Sequence, residues 1–138
     1  MFLIDTNIVS EARKGILANQ GVRDFFERVA VDGTPVFVSV VTIGEIRRGV
    51  ELVRYRGDMA QAEVLELWLS QLLANHQDFI LEIDSDIAQL WGRMRVPNHE
   101  NALDKLIAAT ALIHSLCVVT RNHDDFHKTG VTVLNPFV

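Results

Sequence analysis

The chain has 138 residues, of which 49% are hydrophobic and 22% charged, so it has the composition of one ordinary folded domain rather than a disordered tail. No apolar run approaches the ~18 residues of a transmembrane helix, which excludes a membrane-spanning segment. The net charge of −5 argues against a protein that binds nucleic acid through clustered Lys and Arg, unless bound divalent cations supply the positive charge.

The first half of the chain predicts two strands and three helices. Phe2–Ile4 is an apolar run typical of a buried strand, and Asp5 can cap the short helix that follows. Apolar residues at helical spacing between positions 22 and 29 predict a helix that ends before Asp32. The β-branched run Val36–Val41 predicts a second strand, and Thr42–Glu45 has the form of a capping box at the start of the next helix.

The second half continues the alternation. It predicts the helices Asp58–Asn75, Ser85–Met94 and Leu103–Leu116, the strands Phe79–Ile83, Leu116–Thr120 and Val131–Leu134, and a polar loop over Arg121–Gly130. The last of the three helices is apolar almost all round, which predicts that it is largely buried. We therefore expect a single α/β domain over residues 1–138. Its central, mainly parallel sheet of about four to five strands should be flanked by helices on both faces.

Four acids follow the predicted strands or begin a helix at the same edge. Asp5 follows the first strand, Glu45 lies one turn into the helix after the second, and Asp125 follows the fourth. Asp104 stands in the first turn of the helix that leads into that fourth strand. Ligands of open α/β sheets bind at this edge, and converging carboxylates repel one another until a divalent cation relieves the repulsion. Oxygen ligands of this kind favour Mg²⁺ or Mn²⁺.

Each of these acids also has an ordinary structural explanation. Asp5 could only cap a helix, Glu45 could only complete the capping box, and Asp104 could only favour the helix dipole. Asp124 and Asp125 could be solvated loop residues. The convergence of the acids, with Asp104 on so apolar a helix, favours a functional site.

Four segments, in order and spaced over the whole chain, resemble the four sequence blocks of PIN domains, and most of all those of VapC-type toxins from bacterial toxin–antitoxin pairs. The segments are residues 3–7, 42–49, 103–111 and 119–126, and the ending at residues 130–136 is also similar to that subgroup. The resemblance implies a PIN fold and a Mg²⁺-dependent endoribonuclease that cleaves single-stranded or structured RNA, with Mn²⁺ able to substitute. It also implies a homodimer and a cognate antitoxin that inserts into the active-site groove.

By motif, the resemblance makes Asp5, Glu45 and Asp104 the metal-site acids and Asp125 the fourth. Many PIN domains carry Asp where Asn122 stands here, so Asn122 and Asp124 remain alternatives for completing the metal site. Nothing in the sequence decides between one metal ion and two.

Polar and basic residues beside the acids are further candidates. Thr6 and Thr120 could orient a carboxylate or a metal-bound water and Asn7 could hold the Asp5 loop, although capping or turn roles explain all three equally well. The candidates for contact with the RNA backbone are Arg47, Arg48, Lys105 and Arg121, each of which could equally be an ordinary solvated or salt-bridged side chain.

Further expectations concern partners and environment. The apolar residues Trp68, Leu69 and Leu72 could pack either the core or a partner. The single cysteine, Cys117, should be a buried unreactive thiol, and no HExxH or CxxC pairing predicts a structural zinc site. The start of the sequence lacks the pattern of a secretory signal, so we expect a cytoplasmic protein.

Two other enzyme-like classes are disfavoured. Haloacid-dehalogenase-type phosphatases and receiver domains need paired acids after the first strand, and position 7 is Asn. A catalytically weak protein that acts mainly in a DNA-binding complex with its antitoxin, to regulate transcription, remains the alternative.

Overall fold

The computed structural model describes all 138 residues and has a five-stranded sheet in the order β3-β2-β1-β4-β5. Every neighbouring pair of strands is parallel, which confirms the predicted fold class. The strands are β1 Phe2–Ile4, β2 Val36–Ser39, β3 Ile80–Leu81, β4 Cys117–Val119 and β5 Val133–Leu134. The helices are α1 Thr6–Ala12, α2 Gln20–Asp32, α3 Val40–Tyr55, α4 Met59–Asn75, α5 Ser85–Met94, α6 Ala102–His114 and α7 His123–His127.

Two hydrophobic clusters cover the two faces of the sheet. Ile4 belongs to the cluster formed with α1, α2, α3 and α4, whereas its neighbour Leu3 belongs to the cluster formed with α6 and α7. Successive side chains of a strand point to opposite faces, so β1 contributes to both cores. Both clusters therefore fix β1, and with it the residue that follows β1, at the centre of the molecule. None of the helices combines the length and the apolar character needed to cross a membrane.

The predicted capping box at Thr42–Glu45 is wrong. Helix α3 begins at Val40, and the hydroxyl of Ser39 caps it by accepting a hydrogen bond from the backbone N–H of Val41 at 3.0 Å. The second strand is correspondingly shorter than predicted. Thr42 lies inside the first turn and is completely buried, so Glu45 is not held as a capping partner and its carboxylate is available for other contacts.

The loop predicted over Arg121–Gly130 is also wrong in part, because residues 123–127 form the short helix α7. Phe126 is completely buried in the second cluster and anchors this helix to the body of the protein. Helix α6 is less buried than predicted, since Leu112 and Ile113 on its outer side are exposed. The third strand is reduced to two residues because a turn of 3₁₀ helix occupies residues 77–79.

The end of the chain packs closely against the start of α2. A Cβ atom added to Gly21 would lie 1.9 Å from the carbonyl oxygen of Pro136, so only glycine fits at this position. The side chain of Asn19 accepts a hydrogen bond from the backbone N–H of Val138 and donates one to its carbonyl oxygen. These contacts connect the C-terminal segment after β5 to the α1–α2 region.

Candidate metal centre

The structure brings the four predicted acids together at one edge of the sheet. Asp5 follows β1, Glu45 lies in α3, Asp104 in the first turn of α6 and Asp125 in α7. The pKa of Asp104 is raised to about 6, first by burial and then by the negative charges of Asp5, Asp125 and Glu45. Three acids from three other elements thus lie within electrostatic reach of Asp104.

Asp5 is the most deeply buried of the acids, with only 3% of its surface exposed. One carboxylate oxygen accepts a hydrogen bond from the backbone N–H of Thr6 at 2.8 Å. The other accepts bonds from the hydroxyl of Thr120 at 2.9 Å and the amide of Asn7 at 3.3 Å. Burial raises the pKa of Asp5, and these hydrogen bonds oppose that increase. The carboxylate is consequently fixed in orientation by three uncharged donors.

Thr6 connects the Asp5 turn to Glu45. Its hydroxyl donates a hydrogen bond to Oε1 of Glu45 at 2.7 Å and lies 3.2 Å from the hydroxyl of the buried Thr42. The sequence indicated Thr6 as an orienting residue. It did not predict the contact between Thr6 and Thr42, because these residues are 36 positions apart. Thr6 therefore contacts two of the four acids, Asp5 through its backbone N–H and Glu45 through its hydroxyl.

Asn7 and Thr120 join the segment after β1 to the segment after β4. The amide of Asn7 donates to the Thr120 hydroxyl at 3.3 Å, and its oxygen accepts from the backbone N–H of Arg121 at 3.1 Å. The Thr120 hydroxyl also accepts from the backbone N–H of Asn122 at 3.0 Å. These contacts hold the segments that follow β1 and β4 at a fixed separation.

The three candidates for the fourth position are placed differently. Asp125 acts on the pKa of Asp104, whereas Asp124 does not. The side chain of Asp124 is fully exposed, and its carboxylate oxygen lies 3.5 Å from Nδ1 of His123. Asn122 is exposed and its side chain makes no capping hydrogen bond to α7. All three residues are exposed, and the effect on Asp104 favours Asp125, which stays the prediction for the fourth acid.

Arg47 lies within an ion-pair network between α3 and α4. Its guanidinium donates to both carboxylate oxygens of Glu66, at 2.8 and 2.7 Å, and to Glu51 at 3.3 Å. Arg54 contacts the same two acids. Hydrogen bonds from Arg47, followed by those from Arg54, lower the pKa of Glu66 to about 2. The guanidinium of Arg47 is thus engaged in intramolecular ion pairs, which argues against a role in RNA contact.

The other three basic candidates retain more freedom. Arg48 is exposed and makes no hydrogen bond or ion pair. Lys105 donates to a loop carbonyl, that of Asn98, at 2.6 Å. The guanidinium of Arg121 lies 4.3 Å from the centre of the Phe137 ring, a cation–π contact that leaves its N–H groups available to phosphate oxygens.

A divalent cation fits the chemistry of the four acids. None of Asp5, Glu45, Asp104 and Asp125 forms an ion pair with a basic side chain, so no positive charge of the protein offsets their repulsion. No three His, Cys, Asp or Glu side chains lie close enough together to hold a metal ion directly. The four acids would therefore hold a cation partly through water, as Mg²⁺ permits, because it commonly keeps several waters and takes one or two carboxylates.

An apolar groove of about 560 Å³ lies between α1, α2 and α4. Trp68 and Leu72 line it, Ile4 forms part of its floor, and the guanidinium of Arg13 lies 5.8 Å from the Trp68 ring centre. Leu69 belongs instead to the core, with 1% of its surface exposed. Of the three apolar residues of α4 noted in the sequence, Leu69 therefore packs in the core, whereas Trp68 and Leu72 line an open groove.

Comparison with known proteins agrees with this architecture. The PIN domain family model matches residues 2–131. The chain is 32% identical to Toxin FitB of Neisseria gonorrhoeae (strain ATCC 700825 / FA 1090), and the match covers 99% of each sequence. It is 25% identical to VapC ribonuclease Y4jK of Sinorhizobium fredii (strain NBRC 101917 / NGR234), over 99% of this chain and 98% of that protein.

Solved structures of similar proteins have the same fold. The structure of FitAB bound to an IR36 DNA fragment contains a chain that matches with a TM-score of 0.84 and 30% identity, covering 99% of this chain and 95% of that one. A toxin–antitoxin complex from Klebsiella pneumoniae matches with a TM-score of 0.64 and 26% identity, covering 99% and 98%.

Proposed function

The chain belongs to the PIN domain family, and on that basis we propose that it is a Mg²⁺-dependent endoribonuclease and the toxin of a type II toxin–antitoxin pair, acting in the cytoplasm. One observation carries the catalytic part of the proposal: the pKa of Asp104 is raised to about 6 by burial and by Asp5, Asp125 and Glu45. A group of acids that repel one another, without a basic partner, is what a cation-dependent phosphodiesterase requires.

The roles of the residues follow from their contacts. Asp5, Glu45, Asp104 and Asp125 would hold Mg²⁺, and Mn²⁺ should substitute because it takes the same oxygen ligands. The bound cation supplies positive charge that polarises the scissile phosphate and lowers the pKa of an attacking water. Thr6, Asn7 and Thr120 orient the carboxylates before the cation arrives, which reduces the reorganisation needed during the reaction. Arg48, Lys105 and Arg121 are the side chains placed to meet the RNA backbone.

Metal-dependent cleavage by site variants tests this proposal. Purified Asp5→Ala and Asp104→Asn should lose cleavage of a fluorescent single-stranded RNA in Mg²⁺ while retaining the circular dichroism spectrum of the wild type. Asp125→Asn should lose activity as well, whereas the matched variant Asp124→Asn should keep it. Cleavage by Asp104→Asn at the wild-type rate, or wild-type cleavage that persists in EDTA, would contradict the proposal.

The partner in this proposal is a cognate antitoxin that inserts into the active-site groove, and we propose that it also packs an apolar segment into the separate groove beside Trp68. Support comes from the similarity to a toxin–antitoxin complex and from the composition of the groove, which is apolar with Arg13 at its side. Co-expression with the antitoxin encoded beside the toxin gene should yield a complex, and Trp68→Ala should weaken it relative to Val64→Ala on the outer side of α4. Equal recovery with both variants would place the antitoxin elsewhere.

A second function, regulation of transcription within a DNA-bound complex, is favoured by the similarity to FitAB bound to DNA. An acidic chain of net charge −5 should not bind DNA alone, so the DNA contacts would come from the antitoxin. In gel-shift assays, Asp104→Asn should retain DNA binding as a complex while losing RNA cleavage. Light scattering will test the expected homodimer. A monomer at micromolar concentration would contradict this expectation.

A further inference from the structure

Helix α7 carries histidines at both of its ends, His123 and His127. They are one helical turn apart, and their rings lie nearly parallel, with centroids 5.4 Å apart and an interplanar angle of 16°. This i,i+4 spacing is that of the two histidine ligands in HExxH zinc helices. Both side chains are exposed. The spacing acquires this meaning only because the segment is helical rather than the loop that the sequence predicted.

Asp124 lies beside one member of the histidine pair. Its carboxylate oxygen is 3.5 Å from Nδ1 of His123, a contact on the side of the ring that leaves Nε2 open as a ligand. No hydrogen bond restrains either ring, so both side chains can turn to meet an ion.

We propose that His123 and His127 together bind one divalent transition-metal ion of the zinc class, at a site separate from the four-acid centre. Tetrahedral Zn²⁺ with Zn–N bonds of about 2.0–2.1 Å places two nitrogen ligands about 3.4 Å apart. The lone pairs of the ring nitrogens lie in the ring planes, which are nearly parallel in this structure, so both exposed side chains must rotate about χ1 or χ2 to bind one ion. Water completes the coordination, because no third ligand is gathered with the pair. Imidazole favours Zn²⁺, Cu²⁺ or Ni²⁺ over Mg²⁺, so the two sites select different cations.

Occupation of this site would act on the helix that carries Asp125. Helix α7 has only five residues, and a helix this short is marginal without external support. A metal ion that joins its first and last residues holds the turn closed, and Asp125 lies between the two ligands. Metal binding by the two histidines would therefore stabilise the backbone conformation that positions Asp125.

Calorimetric titration of ZnCl₂ tests the site without relying on catalysis. The titration is made in Asp104→Asn protein, in which the carboxylate centre is impaired, and repeated with His123→Ala, His127→Ala and both together. His114→Ala, a substitution of an exposed histidine at the end of α6, is the matched control. Thermal melts by circular dichroism verify that each variant is folded. Cu²⁺ bound at one equivalent is then examined by electron paramagnetic resonance.

One equivalent of Zn²⁺ should bind to the parent and to His114→Ala with equal affinity. Either α7 substitution should weaken binding at least tenfold, and the double variant should be little worse, because one imidazole alone does not chelate. The Cu²⁺ spectrum should show coupling to two nitrogens. Zn²⁺ affinity unchanged in both single variants, an equal loss in His114→Ala, or no binding by the parent would overturn the proposal. The nuclease assay is independent of each of these results.

Discussion

Replacing Asp104 with Asn should stabilise the metal-free protein while abolishing its proposed activity. The pKa of Asp104 lies near 6 rather than at 3.8, and a difference of about 2 in pKa corresponds to at most ~3 kcal/mol. The side chain is half-buried, and solvent screening reduces the expected effect to ~1.5 kcal/mol. In a domain of this size, that corresponds to an increase in Tm of roughly 3–6 °C.

The stability difference between Asp104→Asn and the wild type should depend on pH in a defined direction. Because the folded-state pKa of Asp104 is raised, the folded protein binds this proton more tightly than the unfolded chain does. The associated stability is fully present below pH 3.8, the unfolded value, and is lost as pH rises through about 6. Asn is neutral at every pH, so its advantage should be complete at pH 8 and small near pH 4.

Urea unfolding in EDTA at pH 8 and pH 4 measures both effects, with Asp124→Asn as the control that should change neither. Adding Mg²⁺ at pH 8 should then stabilise the wild type more than Asp104→Asn, since the cation binds the folded state through these acids. An Asp104→Asn protein no more stable than the wild type at pH 8 would refute the reasoning, as would an equal advantage at both pH values.

Three further outcomes test the packing described above. Gly21→Ala should cost about 1–3 kcal/mol by urea unfolding, because its Cβ would overlap a backbone carbonyl, whereas Gly49→Ala, which meets nothing within 4 Å, should not destabilise the protein. Leu69→Ala should cost about 2–5 kcal/mol, and Val64→Ala on the exposed side of the same helix should have little effect. Glu66→Gln should lower the melting temperature slightly at low salt and less at high salt, since it weakens partly exposed ion pairs between α3 and α4, and RNA cleavage should be unchanged because none of the four acids takes part in them.

The features predicted correctly from the sequence are those that depend on neighbouring residues. The apolar run ending at Asp5 is at once a strand, a helix cap and the site of an acid, and all three follow from a few adjacent residues. Asp104 could be placed at the same edge because a helix that returns to a parallel strand must begin there. Local pattern and topology together therefore brought the acids into one group.

The errors arise where distant contacts decide between local alternatives. The run Val36–Val41 has strand propensity throughout, but the chain turns into α3 at Ser39, a cap hidden within apolar residues. Residues around Phe126 look like a polar loop until that ring is buried against the second core. For Arg47 the sequence left RNA contact and a salt bridge as equal alternatives, because its partner Glu66 comes 19 residues later on another helix.

The protein holds its acids in two different ways, and the difference fits the proposed cation-dependent action of an acidic chain on RNA. Glu51 and Glu66 are neutralised by arginines, as expected of acids whose task is to join two helices. Asp5, buried far more deeply, is held only by hydroxyl, amide and backbone donors. Uncharged donors fix the direction of a carboxylate without cancelling its charge. The repulsion among these acids is thus preserved by the fold, and the proposed Mg²⁺ would relieve it on binding.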